Sequence, residues 1–276
     1  MRYAICNETF ADWDHARVCR FVAEVGYGGL EVAPFTLAER ITAVSAERRR
    51  ELRRQAADAG VQLIGLHWLL AKTTGLQLTS PDEAVRRATA DYLVELARAC
   101  ADLGGDILVF GSPAQRRVPA GMTRAQAADL AADTFGRAAA AVGDLGVKVC
   151  LEPLSPPEAD FLNTAAETAE LIRRLDHPCF RLHLDVKAMS TEAASAPELI
   201  RRYRDLLYHF HANDPNLRGP GFGATDFVPI FQALADVDYQ GWVSVEVFDY
   251  SPDPETIARD SLRYMRQCAA KVVRAG

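Results

Sequence analysis

The chain has 276 residues, of which 49% are hydrophobic, and its 31 basic and 37 acidic side chains give a formal net charge of −6. This composition is sufficient for one large core, and the acidic balance argues against non-specific nucleic-acid binding, which needs a basic surface. Neither an apolar run of membrane-spanning length nor a signal-peptide pattern is present, so we expect a cytoplasmic protein without membrane or nucleic-acid partners.

Eight short segments rich in Val, Ile, Leu and Phe are predicted to be strands. They are mostly apolar on both faces, which is typical of the covered strands of a parallel sheet. In chain order they span residues 2–8, 28–34, 61–68, 106–113, 147–154, 180–187, 207–214 and 242–249.

Charged, alanine-rich amphipathic segments separate these strands and are predicted to be helices. The clearest are residues 45–60, 80–104, 123–146 and 253–276. The first ends in glycine, and the second opens with serine, proline and two acids, which are common helix stop and start signals. This alternation predicts a (β/α)₈ TIM barrel that forms a single domain over residues 1–276. A doubly wound open sheet is less favoured, because no GxGxxG motif follows the first strand.

Ionisable residues lie near the ends of the last four predicted strands, namely Glu152, Asp185, His211 and Glu246. Active sites of TIM barrels lie at the carboxyl ends of the strands, where these four residues would be neighbours. Charged groups are rare at the end of a core strand unless they are paired or bound to a metal. Three carboxylates and one imidazole suit Mn²⁺ best, with Mg²⁺ and Co²⁺ as alternatives, rather than structural Zn²⁺. Pairing with Arg or Lys from neighbouring strands is the other interpretation.

Four segments resemble the metal-binding segments of the xylose-isomerase-like TIM barrels, which include sugar phosphate isomerases and epimerases. They are LEPLSPPEADFLNTAAET (151–168), HLDVKAM, HFHAND and VSVEVF, and the strongest similarity is to the ketose 3-epimerases of the tagatose and psicose type. The resemblance implies that Glu152, Asp185, His211 and Glu246 bind one divalent ion. It also implies that Glu152 and Glu246 transfer protons on opposite faces of the substrate, and that Glu158 contacts a sugar hydroxyl.

Two positions depart from the epimerase pattern. Family epimerases have a histidine three residues after the metal-binding aspartate, whereas this chain has Ala188 there, next to Lys187. The family also has a substrate-binding arginine after the metal-binding histidine, and Arg218 lies one residue late for that role. We predict that Lys187 and Arg218 bind substrate and that Lys187 replaces the missing imidazole, because an ammonium stabilises developing negative charge. A solvated loop lysine is the alternative.

Two residues at the end of the third strand, His67 and Trp68, are predicted substrate contacts. Together with Trp13 they include aromatic rings that could form a wall for stacking a sugar, although aromatic residues more often serve packing. His183 and His209 alternate with Asp185 and His211 along their strands and should point into the barrel. There they are either buried, hydrogen-bonded histidines or groups that orient a metal ligand.

Two loops have open interpretations. Residues 111–117, GSPAQRR, could bind an anion through backbone N–H groups and an arginine, or could be tied down by surface arginines. Residues 218–227, RGPGFGATDF, could form a mobile lid or a rigid turn. The six cysteines have no paired spacing and are predicted to be reduced core thiols.

The predicted function is that of a metal-dependent epimerase or isomerase acting on a small sugar or cyclitol. Proton abstraction next to a carbonyl would give an enediolate. A lyase or dehydratase acting on a keto-sugar, keto-glycoside or cyclitol would share that first step and is the main alternative. A non-catalytic sugar-binding barrel would not need all four ligands. An apurinic endonuclease uses a histidine-rich zinc cluster, whereas this chain has six histidines in all. A homo-oligomer is expected on general grounds.

Overall fold

A closed barrel of eight parallel strands forms the centre of the computed structural model, which describes residues 1–273. The strands are hydrogen-bonded in chain order, and β8 pairs with β1 to close the ring. The strands are β1 (Arg2–Cys6), β2 (Gly29–Val32), β3 (Gln62–Leu66), β4 (Ile107–Phe110), β5 (Lys148–Leu151), β6 (Phe180–Asp185), β7 (Leu207–Ala212) and β8 (Trp242–Val245). The predicted (β/α)₈ fold is therefore confirmed.

Helices connect successive strands and cover the outside of the barrel. They are α1 (His15–Val25), α2 (Ala46–Asp58), α3 (Glu83–Leu103), α4 (Arg124–Asp144), α5 (Ala165–Leu175), α6 (Val186–Met189), α7 (Ala196–Arg202), α8 (Val228–Asp236) and α9 (Pro254–Ala269). None of the helices within residues 1–273 combines the length and apolar character needed to cross a bilayer. The last three residues of the predicted helix 253–276 lie outside the described residues.

Helix starts follow the predicted capping chemistry with one shift. Ser45 caps α2, and Thr123 forms a capping box at the start of α4. At α3 the cap is Asp82, whose side chain accepts a hydrogen bond from the backbone N–H of Ala84. Ser80 lies two residues before this cap, so the helix begins later than the predicted residue 80. The acid supplies the capping oxygen that satisfies an N–H group of the first turn.

The barrel interior is apolar at one level and polar at the next. A small cluster separate from the main core comprises Ala4, Ile64, Ile107, Val109, Cys150 and Trp242. The larger cluster packs the strands against the helices. All six cysteines are buried with free thiols, as predicted. Buried polar residues such as Glu31, His183 and His209 lie in the strands themselves, and Glu152 and Glu246 follow directly after them.

The strand register brings the four ionisable residues to the same end of the barrel. Asp185, the last residue of β6, is opposite His211 on β7. Glu152 follows the last residue of β5, and Glu246 follows the last residue of β8. The predicted strands were longer than the observed ones because their final residues leave the ladder and form the mouth of the barrel.

Candidate metal centre and active site

The mouth of the barrel brings together metal-ligating groups that are far apart along the chain. Ligand atoms of Glu152, His183, Asp185 and His211 all lie within 4.8 Å of one another. Glu246 joins them through its Oε2, which is 3.0 Å from Nδ1 of His211. All five side chains are buried. His183 was predicted only to point into the barrel, and the structure adds it to this group.

His211 is oriented by a carboxylate that the sequence analysis did not identify. Its Nε2 lies 3.1 Å from Oε2 of Glu31, a fully buried residue of β2. The same carboxylate oxygen lies 2.9 Å from Nε2 of His209, which is therefore a buried, hydrogen-bonded histidine. A carboxylate that accepts from one imidazole nitrogen leaves the other nitrogen free to bind a metal. The only sequence signal for Glu31 was an acid within the apolar segment GGLEVAP.

Asp185 is fixed at both oxygens by its neighbours. Its Oδ1 accepts a 2.8 Å hydrogen bond from the backbone N–H of Ala188, because it caps the short helix α6. Its Oδ2 accepts a 2.5 Å bond from the side-chain amide of Asn213. The amide oxygen of Asn213 in turn accepts the backbone N–H of Lys187 at 2.8 Å. These bonds join the end of β6 and the start of α6 to the residue that follows β7.

Glu246 is held through its side chain. Its Oε1 accepts a 2.9 Å hydrogen bond from the indole N–H of Trp68 and lies 3.3 Å from Nδ1 of His67. Trp68 has a φ of +53°, an uncommon conformation for a bulky residue, and residues strained in this way cluster at functional sites. The other ring nitrogen of His67, Nε2, lies 2.9 Å from Oε2 of Glu8. Glu8 was also missed by the sequence analysis.

Glu152 is held through its backbone instead. Its carbonyl oxygen accepts a 2.6 Å hydrogen bond from the fully buried guanidinium of Arg116, which also donates to the carbonyl of Leu162 at 3.0 Å. The nearest basic group to its carboxylate is Nε2 of His183, at 4.0 Å. Gly111 makes room for the carboxylate, since a Cβ there would lie 2.3 Å from Glu152 Oε2. Within residues 111–117, Arg116 thus binds main-chain carbonyls.

The electrostatics of the three carboxylates differ. Burial raises the pKa of Glu152 to about 8, and the negative charges of Glu246 and Asp185 contribute to this rise. Burial and the charge of Glu246 likewise raise the pKa of Asp185 to about 6. Burial would also raise the pKa of Glu246, but His211 and His67 outweigh it and hold that pKa well below its ordinary value.

These residues fit a divalent cation. Three carboxylates crowded into a buried site repel one another, and a positive ion between them offsets that repulsion. Oε2 of Glu246 and Nδ1 of His211 lie 3.0 Å apart, close enough for both to bind one ion. The oxygen-rich donor set suits a hard or borderline ion such as Mn²⁺, Mg²⁺ or Co²⁺.

A cavity of about 310 Å³ opens above this group. Glu152 and Glu246 both line it, together with His67, Trp68, Lys187 and Glu158. Its remaining wall residues are Ala71, Lys72, Val109, Gly111, Ser112, Pro113, Ala114, Gln115, Leu154 and Phe248. The volume is within the usual range for small-molecule sites.

Lys187 and Glu158 form an ion pair on the wall of this cavity. Lys187 Nζ lies 2.5 Å from Glu158 Oε1 and 4.2 Å from the centre of the Phe248 ring. Ala188 is buried next to it. Arg218 is engaged elsewhere, because its Nε donates a 2.8 Å hydrogen bond to Asp249, and it does not line the cavity.

Comparison with known proteins identifies relatives along nearly the whole chain. The family model for xylose isomerase-like TIM barrels matches residues 19–268. The D-psicose 3-epimerase of Agrobacterium fabrum is 30% identical over 252 residues, which cover 87% of this chain and 83% of that protein. The 3-dehydro-D-guloside 4-epimerase of Escherichia coli is 25% identical over 285 residues, covering 97% of this chain and all of that protein.

Solved structures show the same architecture. A D-psicose 3-epimerase determined in the presence of D-fructose has a TM-score of 0.86 at 24% identity, covering 98% of this chain and 99% of that one. The apo 3-keto-D-glucoside 4-epimerase of E. coli has a TM-score of 0.84 at 22% identity, with 97% and 100% coverage. The chain therefore belongs to the xylose isomerase-like TIM barrels, and the predictions of this family and of a carbohydrate-acting epimerase or isomerase are confirmed.

Proposed function

We propose that this xylose isomerase-like barrel is a divalent-metal-dependent epimerase of keto-sugars in which Glu152 and Glu246 carry the proton. One observation supports this most directly: two buried glutamates from β5 and β8 line the same cavity, beside Asp185 and His211. β5 and β8 lie on well-separated parts of the ring. Two carboxylates in these positions can reach a substrate carbon from different sides.

One glutamate accepts a proton from the substrate and the other donates one to it, so the number of protons is conserved. One carboxylate removes the proton from the carbon next to the carbonyl, and the electron pair of that C–H bond moves onto the carbonyl oxygen to give an enediolate. The other glutamate, protonated, returns a proton to the opposite face of the same carbon, and the configuration there inverts. Return of the proton to the adjacent carbon would give an isomerase instead.

The ion in this proposal is held by Glu152, Asp185, His211 and Glu246, and we propose Mn²⁺. The oxygen-rich donor set and the crowding of three buried carboxylates support a cation of this class. When bound, such an ion acts as a Lewis acid towards the substrate carbonyl. Glu31 would support metal binding indirectly, because its carboxylate fixes the orientation of His211.

Lys187 and Glu158 are the proposed polar contacts for substrate oxygens. Their ion pair lines the cavity, and an ammonium there can stabilise the negative charge that develops on oxygen. Trp68, with its indole N–H on Glu246, and His67 form the facing wall. Arg218 remains a proposed substrate contact only if it leaves Asp249 when substrate binds.

A lyase or dehydratase acting on a keto-sugar, keto-glycoside or cyclitol is the second candidate. Lys187 stands beside the position where ketose 3-epimerases have a histidine, and this supports a carbonyl environment that differs from theirs. This chain aligns with the whole length of the 3-dehydro-D-guloside 4-epimerase of E. coli. The substrate in that name supports a keto-glycoside as the substrate here. Departure of a group β to the carbonyl would distinguish this reaction from epimerisation.

Proton NMR in deuterated water tests the proposal. Purified protein is stripped of metal, loaded with Mn²⁺ and incubated with D-psicose, D-tagatose or methyl 3-keto-D-glucoside. We expect loss of the C–H signal next to the carbonyl and appearance of an epimer. Glu192→Gln changes a half-buried carboxylate outside the cavity and is the control for the amide variants of Glu152 and Glu246; it should exchange the probe as the wild type does.

Each result of this assay has a distinct meaning. Exchange accompanied by a new epimer supports the epimerase, and exchange accompanied by an elimination product supports the lyase. Protein that binds no Mn²⁺ and exchanges none of the three probes contradicts both. It would then favour a sugar-binding barrel without activity.

Several broader properties belong to the same proposal. A cytoplasmic location is supported by six buried free thiols, because disulfides are common only in oxidising compartments. One domain over residues 1–276, a homo-oligomer and the lack of nucleic-acid or membrane partners are proposed on the sequence arguments alone. Size-exclusion chromatography with light scattering measures the oligomeric state.

A further inference from the structure

A buried carboxylate and imidazole lie behind Glu246, on the side away from His211. Glu8, in the turn that follows β1, is 3% exposed, and His67 is fully buried. Nε2 of His67 lies 2.9 Å from Oε2 of Glu8. Among residues 1–273, neither Glu8 carboxylate oxygen forms a hydrogen bond, and neither does Nε2 of His67, so their 2.9 Å contact is a close ion-pair approach without hydrogen-bond alignment. His67 is the basic group that lies against the Glu8 carboxylate in the described structure.

This arrangement is poorly explained as a stabilising contact. Taking a carboxylate out of water is costly, and replacing a buried ion pair with apolar residues of similar size is often neutral or stabilising. Leucine is an apolar residue of similar side-chain length, and Phe10, two residues further along the same turn, is also buried. A carboxylate at this position therefore indicates a role beyond packing.

The imidazole connects Glu8 to the active site. Nδ1 of His67 lies 3.3 Å from Oε1 of Glu246, and the indole N–H of Trp68 donates to the same oxygen at 2.9 Å. The other oxygen, Oε2, lies 3.0 Å from Nδ1 of His211. Two N–H donors thus hold one oxygen of Glu246, and only the second oxygen is directed to the group of metal-ligating residues.

We propose that Glu8 is a positioning residue that acts through His67. Because the Glu8 carboxylate lies 2.9 Å from Nε2 on one side of the ring, Nδ1 is the His67 nitrogen that faces Glu246 Oε1. The ring cannot turn without losing both partners. Glu246 is thereby presented with Oε2 alone available to an ion and to the substrate proton. The inference rests on the proposed function of Glu246.

Two substitutions of Glu8 separate positioning from packing. Glu8→Leu fills the same space without a polar group, whereas Glu8→Gln keeps an amide that can bond Nε2 of His67. We expect Glu8→Leu to weaken Mn²⁺ binding and to lower kcat by about 10- to 100-fold, the usual range for a residue that supports a metal ligand. KM should be nearly unchanged, and Glu8→Gln should retain both properties within a few-fold.

The measurements use Mn²⁺ titration calorimetry, thermal unfolding, and deuterium exchange with whichever of D-psicose, D-tagatose or methyl 3-keto-D-glucoside the wild type exchanges. The thermal midpoint of Glu8→Leu should equal or exceed that of wild type. In a His67→Asn background, which removes the partner of Glu8, Glu8→Leu should have no further effect on kcat. Glu192→Leu is the control for loss of a carboxylate outside the cavity; because its Oε1 accepts the backbone N–H of Ala165, a lower thermal midpoint with unchanged kcat is expected there.

The possible failures are distinguishable. If the wild type exchanges a probe and Glu8→Leu does so at the same kcat and Mn²⁺ affinity, the positioning role is overturned and the proposed function stands. A loss of kcat that follows a lower thermal midpoint also overturns it. Cys6, Glu8 and His67 have ligand atoms within 4.8 Å, so two Mn²⁺ ions per chain, with one lost in Glu8→Leu, would make Glu8 a ligand instead. A wild type without exchange overturns both proposals.

Discussion

The neighbours of Glu152 hold its main chain, whereas the neighbours of Glu246 hold its side-chain carboxylate. Arg116 binds the main-chain carbonyl of Glu152, and the nearest basic group to its carboxylate is 4.0 Å away. The carboxylate of Glu246 is itself fixed, by two N–H donors on Oε1 and by His211 at Oε2. The two glutamates occupy equivalent positions after β5 and β8, so the difference comes entirely from their neighbours.

This difference indicates a division of roles. A side chain that is anchored only through its backbone keeps rotamer freedom and can follow a proton between two positions. A side chain fixed at both oxygens is preorganised, which favours constant geometry as a ligand and as a base. Burial and the charges of Glu246 and Asp185 raise the pKa of Glu152, whereas His211 and His67 outweigh burial and lower the pKa of Glu246.

The largest effect is expected from amide substitution of each glutamate. Glu152→Gln and Glu246→Gln should each lower solvent exchange at the substrate carbon by about 10²- to 10⁴-fold, because each removes one of the two proposed proton-transfer groups. Metal binding should separate them. In Glu246→Gln the amide oxygen must accept from His67 and Trp68, so the NH₂ group faces His211 and opposes an ion.

Glu152→Gln has no such restraint and can turn its oxygen towards the ion. Mn²⁺ titration should therefore give a dissociation constant at least about 10-fold higher for Glu246→Gln than for Glu152→Gln. Equal affinities in the two variants would show that the hydrogen bonds to Glu246 do not restrict it. Retained exchange in both variants would remove them from catalysis.

The second effect concerns the backbone anchor of Glu152. Arg116→Met leaves the buried carbonyls of Glu152 and Leu162 without their donor, and unfolding free energy should fall by about 2–5 kcal/mol, as expected for two orphaned acceptors. Urea unfolding measures this loss. Arg117→Met is the neighbouring control, since Arg117 is exposed and its one carbonyl bond is 3.3 Å long. Equal losses in both variants would contradict the anchoring role.

A smaller effect is expected at Trp68. Trp68→Phe keeps an aromatic ring but removes the N–H that donates to Glu246 Oε1. With His67 as the remaining donor, kcat should fall by about 10-fold, the value of one charge-assisted hydrogen bond. KM should change less. Steady-state kinetics decide between this and a packing role, in which Trp68→Phe would raise KM and leave kcat unaltered.

The smallest effect is a pH-dependent change in the stability of the metal-free protein. Because burial and neighbouring charges raise the folded-state pKa of Glu152 from an ordinary 4.5 to about 8, its relative stabilisation is present below pH 4.5 and is lost as the pH rises to 8. Metal-free Glu152→Gln should therefore melt about 2–6 °C above wild type at pH 8.5 and close to it at pH 4.5. Differential scanning calorimetry with chelator checks this, and a pH-independent difference would contradict it.

The sequence predicted the architecture because strand and helix periodicities are local properties. Eight apolar strands alternating with amphipathic helices admit few closed arrangements, and all eight strands are present in the structure. The same alternation placed Glu152, Asp185, His211 and Glu246 at one end of the barrel. Their spacing after the strands required no knowledge of tertiary contacts.

The supporting residues could not be predicted in this way. Glu8 and Glu31 are single acids in the first two strand regions, and their partners His67 and His211 lie on β3's end and on β7. For residues 111–117 the sequence left open an anion site or a loop tied down by surface arginines, whereas in the structure Arg116 is fully buried and Arg117 is exposed. No local pattern distinguishes a buried guanidinium from an exposed one.

By itself, then, the sequence determined the barrel and the set of ionisable groups at its mouth, since hydrophobic periodicity fixes which ends of the strands meet. Only the tertiary structure decided how each group is held. Contacts such as Glu8 with His67 or Arg116 with the Glu152 carbonyl join residues far apart along the chain. They depend on strand register and barrel closure, which bring side chains within hydrogen-bonding distance only in the folded molecule.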